Sequence, residues 1–175
     1  MIDPIKKIKS KTAAMLVGTS MDLFHFGDDE SHPECLRLKD SLRNTIGTLY
    51  RETGVNQYLC GVTPGTEMWA AEIVLESMKE HPDMELYCLI PTGNPVNGID
   101  PVLKKRMDHI IRSSTALLSE KDELCNTAQD TAGIASPIDY TSVLIVVSEI
   151  QSAHTEMPPQ VLQAWKKGNR VVFIA

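Results

Sequence analysis

Two short stretches carry residues whose types and spacing could hold a ligand. Gly18-Thr19-Ser20 joins a glycine, which allows close approach to the backbone, to two hydroxyls able to donate to phosphate oxygens. Thr63-Pro64-Gly65-Thr66-Glu67 joins two hydroxyls suited to capping, a proline suited to a helix start and a glycine that exposes backbone amides. A helix beginning there would aim unpaired N–H groups and the positive end of its dipole at an anion. Glu67 would fall in the first turn, where a carboxylate is favourable, and could accept from a ribose hydroxyl. The competing reading is a tight capped turn with no ligand. No GxGxxG follows Gly18, so the dinucleotide fingerprint is absent.

Other residues of the right type are more scattered. Glu72 lies a turn and a half beyond the start of that helix, and could point along a pocket or stand exposed. Ser148 follows a strongly apolar run and could supply a third hydroxyl. His154 could act as a base beside Ser148 and Glu149, and Cys125 as a nucleophile, but neither has a visible activating partner. The long stretch from Gly18 to Pro33 holds His25, Asp28, Asp29, Glu30 and His32. Their spacing gives no metal geometry, so this reads as a solvated acidic loop or a lid. No metal or cofactor is expected from these motifs. Trp69 and Trp165 read as packing residues. Of the four cysteines, Cys60 and Cys88 lie in apolar segments, and none forms a CxxC pair with Cys35 or Cys125.

The elements that must position these residues alternate regularly. Strands are predicted at Ala13–Gly18, Gln57–Val62, Met84–Ile90, Ala116–Ser119, Ser142–Val147 and Arg170–Ile174. Helices are predicted at Glu34–Glu52, Thr66–Glu80, Asp100–Ser113 and Pro158–Lys167. The first carries an apolar stripe of Leu36, Leu42, Ile46 and Leu49 and stops at Gly54. The second buries Ala71, Val74, Leu75 and Met78 and stops at Pro82. The third has Asp100 as N-cap and Pro101 in its first position. Pro91–Pro101 reads as a loop, and Glu120–Pro137 as a polar connector. Short continuous apolar strands alternating with helices argue for βαβ units and a parallel sheet buried on both faces. The expected fold is α/β: a three-layer α/β/α Rossmann-like sandwich with a mostly parallel sheet of about six strands. Residues 1–12 read as a basic tail, and 13–175 as a single domain. Ligands of such sheets bind at the carboxyl ends of the strands.

Composition narrows the partners. Seventeen basic against 23 acidic residues leave a net charge of −6, and the one basic cluster is Lys6, Lys7, Lys9 and Lys11. A duplex binder needs a basic patch or stripe, so a nucleic-acid partner is disfavoured. No apolar run approaches the roughly 20 residues of a membrane span, and the start has no secretory h-region. A cytoplasmic location with reduced thiols is expected. Apolar helix faces could also pair two subunits.

The segment Gly61–Pro91, GVTPGTEMWAAEIVLESMKEHPDMELYCLIP, resembles the second βα unit of the YpsA-like family in the SLOG superfamily. Gly65, then Glu67, then Trp69-Ala70-Ala71-Glu72, then a strand ending in proline follow that family's order, with Glu67 where an aspartate is more usual. The match covers about 30 residues, and the remainder agrees in layout. The superfamily is Rossmann-like, is associated with nucleotides or nucleotide-derived ligands, and includes the cytokinin-activating LOG phosphoribohydrolases and the DNA-processing protein DprA. The phosphoribohydrolases carry PGGxGTxxE in a late βα loop and a catalytic arginine. Here Ser148-Glu149-Ile150-Gln151 follows the late strand, no arginine occurs between Arg112 and Arg170, and Pro64-Gly65-Thr66 lies in a different unit with Trp69 in place of the motif's glutamate. The resemblance implies a nucleotide-like ligand held by Gly18, Thr19, Ser20, Thr63, Pro64, Gly65, Thr66, Glu67 and Ser148. Two alternatives stand beside it. One is a hydrolase of N-glycosidic or phosphoester bonds using Glu67 or Glu72; the other is an interaction protein with a vestigial pocket.

Overall fold

The computed structural model describes residues 4–90, 98–119, 136–148 and 158–175. Glu149, His154, Cys125, most of the Pro91–Pro101 loop and most of the Glu120–Pro137 connector lie outside these residues. Six strands are present: β1 (Ala13–Gly18), β2 (Gln57–Gly61), β3 (Glu85–Ile90), β4 (Ala116–Ser119), β5 (Val143–Val147) and β6 (Arg170–Ile174). Four α-helices lie among the described residues: α1 (Pro33–Thr48), α2 (Thr66–Glu80), α3 (Pro101–Ser113) and α4 (Pro159–Lys167). The strands form one sheet in the order β4-β3-β2-β1-β5-β6, with every pair parallel.

Alternate side chains of each strand enter two separate cores. Leu16, Tyr58, Cys60, Leu86, Cys88 and Ile145 pack under α1, α2 and α3. Met15, Val17, Leu59, Tyr87, Leu144 and Val146 pack with Val161 and Ala164 of α4 and with Ile138. The sheet therefore grows from β1 towards β4 with helices on one face, and from β5 to β6 with its helix on the other. Opposite directions on opposite faces are what a single crossover handedness requires. Both halves begin at the β1–β5 pair, which is the switch point of the sheet, and in open α/β sheets ligands enter at the carboxyl ends beside that point.

Local sequence accounts for most boundaries. Asp100 caps α3, its carboxylate accepting from the Val102 and Leu103 amides at 2.8 and 3.3 Å. Helix α1 differs from expectation. Its buried residues are Cys35, Leu38, Leu42 and Ile46, while Leu36 is 50% exposed. Six residues separate Leu36 from Leu42, about 240° around a helix, so the two cannot share a face. After Thr48 a wide π turn, Leu49–Thr53, shifts the phase and buries Leu49. On α2, Ala71 and Val74 are buried as expected, with Leu75 and Met78 packed at the margin of the core. Trp69 is buried, whereas Trp165 is half exposed.

Residues 4–12 are more than a solvated tail. Lys6, Lys7, Lys9 and Lys11 are exposed, but Ile5 and Ile8 pack on the second core. The buried Gln57 side chain fastens this segment. Its Oε1 accepts from the Lys9 amide at 2.7 Å, and its Nε2 donates to Lys7 O at 3.0 Å and to Glu85 Oε2 at 2.6 Å. Replacing Gln57 by Ala removes three part-buried hydrogen bonds at once, which costs about 1–3 kcal/mol. The expected outcome of Gln57→Ala is faster cleavage between residues 4 and 12 in limited proteolysis, with the sheet otherwise intact. Among the described residues no helix is long and apolar enough to cross a membrane.

Candidate functional site

The loops after β1 and β2 meet the end of β5 at the switch point. Gly18 is the last residue of β1 and pairs with Val147 at the end of β5, one residue before Ser148. The Thr19 amide and hydroxyl both donate to Val147 O, at 3.1 and 3.3 Å. On its other side, Thr19 O accepts from both the amide and the hydroxyl of Thr66, at 3.3 and 3.0 Å. Ser20 forms an antiparallel bridge with Gly65, and the Met21 amide donates to Pro64 O at 3.0 Å. The first and second βα loops are thus zipped together backbone to backbone.

Two glycines make this lock feasible. Gly65 has φ +117°, a conformation essentially confined to glycine. A Cβ there would lie 2.6 Å from the Met21 amide nitrogen and 2.9 Å from Thr19 O. A Cβ on Gly18 would collide with the Thr66 hydroxyl. The Thr66 side chain therefore favours glycine at 18, which remains exposed at the end of β1.

The sequence-predicted residues sort into three groups. Gly18, Thr19, Ser20 and Ser148 lie together at the carboxyl ends of β1 and β5; the last three are half-buried. Pro64, Gly65 and Thr66 are brought to them, but as the wall of the lock. Thr66 is fully buried. The N-cap position of α2 is Gly65, with no side-chain cap. The helix start is less open than its sequence suggests, because the Thr66, Met68 and Trp69 amides already donate to Thr19 O, Thr63 O and Gly65 O. Thr63 stands exposed on the rim. The Glu67 carboxylate packs over Gly61, where any side chain would strike it. Burial, with the neighbouring Cys88 and Glu67 charges, pushes the nearby Cys60 thiol well up, so it stays protonated.

Glu72 does not join the crevice. Five positions after Glu67, it is turned about 140° around the helix. Both its oxygens accept from Arg106 of α3, at 2.7 and 2.8 Å. The same guanidinium reaches Glu30 in the first loop at 2.5 and 3.3 Å, and Lys39 of α1 donates to Glu30 as well. Lys39 also sits 5.2 Å over the Trp69 ring. Burial alone would raise the Glu30 carboxyl, but the hydrogen bonds from Arg106 and Lys39 outweigh it and hold the group at about 2. Trp69 Nε1 is buried and, among the described residues, has no partner within hydrogen-bonding geometry. This network fastens the long first loop to three helices, and sequence reasoning did not find it. One signal was available: Arg106 stands next to Met107 and between Leu103 and Ile110, on the margin of the apolar stripe of α3.

The first loop also gathers His25, His32 and Glu34, with one ligand atom from each lying within 4.8 Å of the others. Spacing alone gave no hint of this convergence.

No protein-family model matches the chain, and no curated protein matches it.

Proposed function

We propose that the protein binds a nucleotide or nucleotide-derived ligand in the crevice at the carboxyl ends of β1 and β5. The observation that carries this reading is the exposed backbone of Gly18 at the point where the strand order reverses, flanked by the hydroxyls of Thr19, Ser20 and Ser148. In open α/β sheets that position is where ligands enter. The acidic chain favours a small ligand with few phosphates over a nucleic-acid backbone that needs many cations. The 30-residue likeness to the YpsA-like unit points to the same ligand class. The hydrolase alternative draws on Glu67 and Glu72. Glu72 is held by Arg106 on another side of α2, so these two carboxylates do not face one substrate position.

A thermal-shift panel of nucleoside mono- and diphosphates, dinucleotides and ADP-ribose tests this. At a hundredfold excess over Kd a ligand stabilises by about 2.7 kcal/mol, or about 5–10 °C for a chain of this length. The expected result is a shift of that size for at least one nucleotide, lost in Ser148→Trp, which fills the crevice. No shift across the panel would overturn the proposal.

A further inference from the structure

We propose that His25, His32 and Glu34 form a site for a divalent late-transition-metal ion, with zinc the leading candidate. The site lies between the first loop and the start of α1. His25 Nε2 already stands 3.0 Å from Glu34 Oε2, and His25 meets His32 edge to face with ring centroids 5.4 Å apart. Tetrahedral coordination with bonds of about 2.0–2.2 Å places ligand atoms about 3.4 Å apart. The widest separation in the trio, within 4.8 Å, must therefore close by at most about 1.4 Å. The His25 and Glu34 side chains are 42% and 37% exposed, so the site is open to ions from solvent.

His32 is the anchored member. Its ring stacks on Phe26 at 5.2 Å, Phe26 on Phe24 at 4.8 Å, and Phe24 on the buried Trp69 at 5.7 Å. Its Nδ1 accepts the Glu34 amide at 3.3 Å, capping α1. That bond puts the proton of the neutral ring on Nε2. An ion taken up at Nδ1 leaves this proton in place and replaces only a long cap bond, whose loss costs about 1 kcal/mol. Two imidazoles and one carboxylate suit zinc, nickel or copper better than magnesium or calcium. Three protein ligands leave a fourth position open. Phe26 and Glu34 also line a groove of about 580 Å³ with Phe24, Arg37, Leu38 and Asn44, so that position opens beside space for a water or a small ligand.

The test uses the full chain, stripped with a chelator and titrated with zinc by calorimetry and with cobalt by visible absorption. The expected result is one equivalent of metal per chain and the d–d band of tetrahedral cobalt. His25→Ala and Glu34→Gln should each weaken binding at least tenfold. His32→Asn removes the imidazole but keeps a capping side chain, so the same loss with unchanged helix content separates ligation from folding. No saturable uptake, or uptake unchanged in all three variants, would overturn the proposal.

Discussion

Gly65→Ala is expected to cost about 3 kcal/mol or more, and to abolish ligand binding in whatever fraction still folds. Two penalties act at one atom. Alanine is strained at φ +117°. Its Cβ must also enter a space bounded by backbone, 2.6 Å from the Met21 nitrogen and 2.9 Å from Thr19 O. Backbone cannot swing aside as a flexible side chain can, so the Ser20–Gly65 bridge and the Met21-to-Pro64 bond must open. Relief there displaces Thr19, and through Thr19 the contact with Val147. Urea unfolding measures the first effect and the nucleotide thermal shift the second. Gly18→Ala should do less harm, because the atoms in its way belong to the Thr66 side chain. The double variant Gly18→Ala/Thr66→Ser should give no relief, because serine keeps the hydroxyl and the Cβ that lie in the way. A wild-type midpoint for Gly65→Ala would show that the lock is not rigid.

Arg106→Ala is the second large effect. It leaves Glu30 and Glu72, 24% and 34% exposed, without the cation they share. Removing one partner of a buried network typically costs 3–5 kcal/mol; partial exposure reduces this to about 2–3 kcal/mol. A chain of this length should then lose about 5–10 °C in Tm. The pH dependence gives a distinct signature. Glu30 is held at about 2, below the ordinary 4.5. A depressed carboxyl stabilises the fold above its ordinary value, and the contribution is lost as pH falls from about 4.5 towards 2. Discounted for exposure, this is about 1–2 kcal/mol of acid-sensitive stability. In Arg106→Ala most of that acid limb should flatten, so wild type and variant converge near pH 2. Arg106→Lys should recover only part of the loss, since an ammonium cannot hold two carboxylates in bidentate fashion. Parallel pH profiles for wild type and Arg106→Ala would rule out the network as the source of the acid limb.

The sheet was legible because its strands are short continuous apolar runs, and its helices largely because they carry their own stop signals. Ser142–Val147 and Arg170–Ile174 can be read by eye, and Asp100-Pro101 declares the start of α3. The phase of α1 was not legible, since Leu36 and Cys35 differ little in kind and only packing decides which turns inward. At the candidate site, the three loops could be placed at one sheet edge from chain order alone. Their use of polar groups could not, because Thr66 hydroxyl to Thr19 O is a bond between residues 47 positions apart. The Glu30–Arg106 pair, 76 positions apart, was hidden for the same reason. Long-range pairing leaves no periodic trace in a sequence. The His25–His32–Glu34 cluster illustrates a subtler limit. Its residues are close in the chain, but their convergence depends on the aromatic ladder from His32 to Trp69.

The central claim is that the ligand sits where β1 and β5 diverge. The most direct measurement is a two-dimensional amide NMR titration with the nucleotide that gives the largest thermal shift. The account predicts saturable movement of the Gly18, Thr19, Ser20 and Ser148 signals, with those of Lys166 and Gly168 at the far end of α4 unmoved. Movement confined to residues outside the crevice, such as Arg37 and Asn44 along the outer groove of α1, would contradict it.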